Sequence, residues 1–362
     1  MERAYYGGGL ALLFLLACGC DASPSGPALE PRPEVQTCLP DVSEGMPARL
    51  SDTGCFTDLK ALEPGPDLIP YDVNSSLWTD GAFKPRYLVV PSPKQITIEE
   101  DGFWVFPEGS VLIKVFGFEF QVGDPESRRV VETRFMVRRD GQWDYATYEW
   151  NDEGTDGTLL EKTKTVEFTI YENGEPTVIE YLFPNRDECT TCHGEAIDEV
   201  LGPKTAQINR NRDYEGVVAN QLVAMAEIDL LALGEDVEID PDAEPRMANP
   251  QAGEGTLEER ARAYLDANCA HCHRPGGWAP SDTALDFRYQ VPLEDTGICD
   301  PMKFFEWSGT PRLAPGDPQG SGILQRFSLL DDLGMPSIGT STVDPFGTGL
   351  LTDWIAGLDS CP

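Results

Sequence analysis

The sequence predicts an α+β multidomain chain: an antiparallel β-rich, sandwich-like N-terminal domain followed by two helical segments, each built around a Cys-x-x-Cys-His motif. Three observations predict it. From about Leu50 to Phe183, β-branched and aromatic residues alternate in short runs separated by turn residues. Asp140-Gly141 and Asn173-Gly174 each sit between two such runs and supply the positive φ angles of tight hairpin turns. Beyond Asn185 the apolar period becomes helical, around Cys189-Thr-Thr-Cys192-His193 and then Cys269-Ala-His-Cys272-His273.

Residues 1–17 carry Arg3, an apolar run from Leu10 to Leu16, and Ala17, which is the pattern of an export signal peptide, too short for a stable membrane span. Leu15-Leu16-Ala17-Cys18 matches a bacterial lipobox, whose cysteine becomes the lipid-anchored first residue. Cys20 competes for that role, and ordinary cleavage to a soluble periplasmic protein is the alternative. Residues 18–40, rich in proline, glycine and serine, read as a flexible tether. The β-rich domain takes 41–184, with strands expected at 87–90, 95–99, 103–106 and 111–122, and hairpins pairing 130–139 with 142–151 and 166–172 with 177–183. Trp78, Trp104, Trp143 and Trp150 read as core or cofactor-packing residues. The acidic turn 151–156 clusters hard oxygen ligands suited to calcium, but its spacing matches no complete calcium loop, so a solvated hairpin end is favoured.

Segment 185–244 holds the first motif, an expected amphipathic helix at 214–233 and an acidic linker at 234–244 that reads as a domain boundary. Segment 245–362 opens its helix at the capping box Thr256-Leu257-Glu258-Glu259, carries Ala261, Tyr264 and Leu265 on one side and runs into Cys269. Leu350, Leu351, Trp354, Ile355 and Leu358 form the stripe of a closing helix that packs back on it.

Two thiols one helical turn apart can add across the two vinyl groups of one porphyrin, and the next imidazole then lies beneath the iron. Neither a redox dithiol nor a zinc knot needs that histidine. The motifs therefore imply two covalently attached haem c groups, held by Cys189 with Cys192 and by Cys269 with Cys272, and bound at iron by His193 and His273. The last segment then reads as a class I-like cytochrome c domain. The chain has 3 histidines, so only His271 is left for a distal face, and it sits on the turn of its own motif. Two bis-histidine haems are excluded. Met335, before Pro336 in a loop ahead of the closing helix, is the expected thioether ligand of the second iron. For the first, Met225 and Met247 are the nearer candidates and Met46, Met136 and Met302 the remoter, with an open or non-methionine site equally consistent.

Export makes disulfides permissible for the cysteines that the haems do not use. Cys38 with Cys55 and Cys299 with Cys361 is the simplest of three pairings. A formal charge of −35 repels nucleic acid and anionic membranes and would steer in a basic redox partner, or serve solubility alone.

Several blocks together resemble a family of exported dihaem c-type cytochromes, sometimes found beside quinoprotein sugar-dehydrogenase-like propellers. They are 49–56, 70–84 (Pro-Tyr-Asp-Val-Asn-Ser-Ser-Leu-Trp-Thr-Asp-Gly-Ala-Phe-Lys), 148–152, 183–193, 201–210, 268–277, 315–318 and Met335-Pro336. The resemblance implies a dihaem electron carrier with a β-rich front half, passing single electrons from a dehydrogenase or another carrier to a periplasmic acceptor; a dehydrogenase donor would be a separate chain. A dihaem peroxidase with an open first haem, or a haem-bearing binding or sensing module, is the competing expectation.

Overall fold

A computed structural model describes residues 29–30, 32–33, 37–43, 45–194, 200–234, 237–280, 283–303 and 309–361. The expected signal peptide, Cys18 and Cys20 lie outside them.

The described chain is β-rich, its sheets antiparallel and its helices few. A small hairpin, β1 (Phe56–Asp58) and β2 (Glu63–Pro64), precedes β3 (Ile69–Pro70) and β4 (Arg86–Val89). A second small hairpin, β5 (Thr97–Ile98) and β6 (Trp104–Val105), leads into the long strands β7 (Val111–Glu119), β8 (Arg128–Arg139) and β9 (Gln142–Trp150), and then β10 (Gly157–Leu159). One sheet of 6 strands results, in the order β10-β9-β8-β7-β4-β3. The ribbon β11 (Lys164–Glu172) with β12 (Glu175–Phe183) follows. Both expected turns form, with Asp140 and Gly141, and Asn173 and Gly174, at positive φ.

No second large sheet closes a sandwich over this one among the described residues; its two faces are covered differently. Val111, Ile113, Val115, Phe135, Val137 and Tyr148 pack under Leu39, Leu50 and Cys55 of the N-terminal segment. That segment is stapled by a Cys38–Cys55 disulfide. Leu39 is buried, Leu29 packs against the core, and the Arg32 guanidinium donates to the carbonyls of Ile228 and Lys94. The described part of 18–40 is therefore docked on the body instead of forming a free tether, because an apolar side chain and a five-donor guanidinium find partners there. The opposite face of the sheet looks into the cavity described below. Covered on both sides, β7 reads almost wholly buried.

The expected helix at 214–233 is corrected. β13 (Asn211–Tyr214) and β14 (Val217–Asn220) form a hairpin there, and only Gln221–Glu227 is helical. Glu215 and Gly216 both take positive φ, and the β-branched Val217-Val218 pair suits a strand. The acidic linker is also no free hinge where it is described, since Asn209 Nδ2 donates to the carbonyls of Pro241, Glu244 and Pro245.

The helices are α1 (Arg186–Cys192), α2 (Thr205–Ile208), α3 (Gln221–Glu227), α4 (Leu257–Cys269), α5 (Gly322–Phe327) and α6 (Pro345–Ala356). The capping box starts α4 as expected, with Thr256 Oγ1 accepting from Glu259 N and Glu259 Oε2 from Thr256 N. Tyr264, Leu265, Leu350, Leu351, Trp354 and Ile355 form the α4–α6 core, and Cys299–Cys361 closes it with the second expected disulfide.

Residues 70–84 clamp these parts together. Asn74 Nδ2 donates to the carbonyls of Ala206 and Asn209, and Ser75 N to Gln207 Oε1. Trp78 N donates to Asn268 Oδ1, one residue ahead of the second motif, at 2.6 Å. Asp80 Oδ1 accepts from the amides of Ser341 and Thr342, and Lys204 pairs with Asp266 on α4 at 2.7 Å.

Candidate cofactor site

Each motif sits at the end of a helix, α1 running through the first and α4 stopping at the first cysteine of the second. α1 starts from a capping box, Asn185 Oδ1 accepting from Asp187 N and Glu188 Oε2 from Asn185 N, and it ends at Cys192. α4 ends at Cys269. In each motif the histidine amide donates to the carbonyl of the first cysteine, at 2.9 Å for His193 and 2.8 Å for His273. Two thiols and an imidazole thus share one turn in both places.

The two turns open into one cavity of about 740 Å³ at the junction of sheet and helices, in the upper part of the size range of small-molecule sites (about 300–1,000 Å³). Cys189, Cys192, His193, Cys269, Cys272 and His273 all line it, and so does His271. The Cys192 side chain lies beside those of Cys272 and His271, so the motifs meet edge to edge.

The residues present fit two thioether-bound haems. Cys189, Cys192, Cys269 and Cys272 are free thiols although the other described cysteines are paired. Burial pushes the Cys189 thiol up to about 11 and the Cys269 thiol up to about 12, whereas the neighbouring Cys272 and His271 side chains draw Cys192 down to about 4. The buried His273 Nδ1 has no hydrogen-bond partner, and burial lowers that imidazole to about 4, leaving it neutral, as an iron ligand must be. Phe287 meets the His273 ring edge-on at 5.6 Å between centroids, and Tyr145 on β9 lies 5.6 Å from the His193 ring while its hydroxyl donates to the His193 carbonyl. Among the described residues no three His, Cys, Asp or Glu side chains form a group that could hold a metal ion.

Met335 lines the same cavity, its amide donating to Arg326 O at 2.9 Å. Of the other methionines, Met136 and Met302 line it too, whereas Met225 and Met247 are fully buried in the core and Met46 packs under the far face of the sheet. The two nearer sequence candidates for the first iron are therefore core residues, and the cavity-facing ones were the remoter. Trp78 lines the cavity, while Trp104, Trp143 and Trp150 are buried in the core. At the acidic turn, Asp156 is committed to Arg49 and Ser51, and Asn151 Oδ1 to the Thr155 amide, which leaves few of those oxygens for calcium.

Sequence reasoning missed Arg86, Lys114 and Arg134, all on the cavity side of the sheet. Their signal was present: Lys114 breaks an otherwise apolar run, Val111-Leu-Ile-Lys-Val-Phe116, that reads as a buried central strand. No helix among the described residues is long and apolar enough to cross a membrane. No protein-family model, curated protein or solved structure matches this chain.

Proposed function

We propose that this chain is an exported dihaem c-type cytochrome that passes single electrons between periplasmic redox partners, one of them a dehydrogenase. The observation that carries this reading is that two Cys-x-x-Cys-His turns, all four thiols free, face one cavity and touch through Cys192 and Cys272. When bound, each haem supplies a one-electron iron couple.

The chain's own residues supply attachment, orientation and dielectric. Cys189 with Cys192, and Cys269 with Cys272, form the thioethers; His193 and His273 hold the irons; Met335 closes the second site, where a thioether keeps the potential above that of a second imidazole. Tyr145 and Phe287 fix the two imidazoles from neighbouring elements. Leu112, Met136, Val200, Leu285 and Ile298 give the cavity apolar walls that exclude water and favour the less charged iron state. The export signal and the lipobox at Cys18 belong to the same proposal, since haem attachment of this type is completed outside the cytoplasm.

A dihaem peroxidase needs an acid–base group beside an open iron. Glu188 is the one carboxylate among the described residues lining the cavity, and it is tied into the capping box of α1. That supports a carrier over a peroxidase.

The test is intact mass, with visible spectra, of protein matured in a host able to attach c-type haem. Two haem masses are expected, falling to one when Cys189 and Cys192, or Cys269 and Cys272, become alanine. Protein recovered with zinc and no haem overturns the proposal.

A further inference from the structure

Arg86, Lys114 and Arg134 stand directly opposite one another on three neighbouring strands. The register pairs Arg86 on β4 with Lys114 on β7, and Lys114 with Arg134 on β8. All three line the cavity. Like charges facing across a sheet are destabilising, and a buried charge is costly without a counter-charge. Here the compensation is incomplete. Arg134 pairs with Glu132 at 2.6 Å, and Tyr181 donates to that same carboxylate. Arg86 spends its donors on the Lys84 carbonyl and Ser76 Oγ, with no carboxylate partner among the described residues. The Lys114 ammonium makes no hydrogen bond or ion pair among the described residues and lies 4.8 Å over the Phe116 ring. A chain with 62 acidic and 27 basic residues has thus placed three basic side chains side by side on a cavity wall, with Glu132 paired to Arg134 and Asp72 acting on Arg86 from farther off.

We propose that the Arg86–Lys114–Arg134 row is a carboxylate receptor that takes the propionates of the haem attached at Cys189 and Cys192. The inference rests on the dihaem reading. The row is assigned to the first haem because α1 packs on β9, the strand beside β8, and Tyr145 on β9 touches His193. Guanidinium forks match carboxylates in two-point contact, and Lys114 between them adds a point charge. Burial, then repulsion by Arg86 and Lys84, holds Lys114 well below its ordinary pKa, so that a carboxylate brought beside it would favour its charged form. Two carboxylates brought in with the porphyrin would balance it.

The receptor predicts an electrostatic effect on iron. Cations beside the porphyrin edge disfavour the oxidised state, so removing one lowers the potential of that haem alone. In full-length haem-loaded protein, Lys114→Met and Arg86→Met should each leave two haems by mass. In a potentiometric titration, one of the two one-electron components should then fall by about tenfold in its reduced-to-oxidised ratio, which is ~59 mV, and Lys114→Arg should restore it. Both components unmoved in both variants, with two haems present, overturns the receptor and spares the dihaem reading. Wild-type protein without haem overturns both. A free oxyanion is the other source of the same chemistry. Potentials that shift with added inorganic phosphate in wild type, but not in Lys114→Met, overturn the propionate assignment.

Discussion

Met335 is held at the cavity by its own backbone: its amide bonds to Arg326 O at the end of α5, and Arg326 Nε bonds to Leu333 O just ahead of it. Its residue type and loop position were legible, because a thioether before a proline is a recognisable ligand setting. In Met335→Ala the second haem should lose its long-wavelength thioether band, fall in potential and bind carbon monoxide or cyanide, while the first haem stays unchanged in the same spectra. The cation row was not legible, because a lysine in an apolar strand does not reveal which cations the strand register sets beside it. Asp156 gives a pH test away from the cavity. Although burial alone would raise its pKa, Arg49, Ser51 and the Gly157 amide hold it below the ordinary carboxylate value. A depressed pKa contributes stability that is complete above the unfolded value, about 4, and is lost as pH falls through the folded one. Asp156→Asn should therefore cost about 1.5–3 kcal/mol at pH 7 in denaturant melts, and the gap to wild type should close in acid.

Among elements, those set by local chemistry were read well: the two Asp-Gly and Asn-Gly hairpins, the capping box of α4, and the stripe of α6. The 214–233 stretch failed because apolar spacing there fits a helix, while Glu215-Gly216 and two valines decide for a hairpin. How α4 meets α6 was readable only as a stripe, yet the contact is close. A Cβ built on Gly347 would lie 2.2 Å from the Tyr264 hydroxyl, which itself donates to Asp344, the N-cap of α6, at 2.7 Å. Gly349, two residues on, has nothing within 4 Å of such a Cβ. Gly347→Ala should thus destabilise by about 1–3 kcal/mol through overpacking. Gly349→Ala should hold or gain about 0.5–1 kcal/mol, since alanine is the better helix former. Paired thermal melts check both, and equal effects would contradict the packing described here.

At the scale of the molecule, the sequence locates two Cys-x-x-Cys-His turns some eighty positions apart in the chain and says nothing of their distance in space. That distance depends on long-range pairings: residues 70–84 bonded to both 206–209 and 268, Asp80 to the loop at 341–342, and Lys204 to Asp266. Each is a polar contact between segments far apart in sequence, with no periodicity to announce it. Composition at the acidic linker shows where the chain is polar and not what its backbone carbonyls are bonded to. What these contacts produce is one cavity shared by both motifs, and the two haems proposed for it would have a magnetic consequence. Electron paramagnetic resonance of the oxidised, haem-loaded protein tests it, by comparing the wild-type spectrum with the sum of two single-haem variants, Cys189→Ala with Cys192→Ala and Cys269→Ala with Cys272→Ala. Two ferric centres held against each other through Cys192 and Cys272 should give signals broadened or shifted by spin coupling, so that wild type departs from the sum; a wild-type spectrum equal to the sum would place the haems in separate sites and contradict the account.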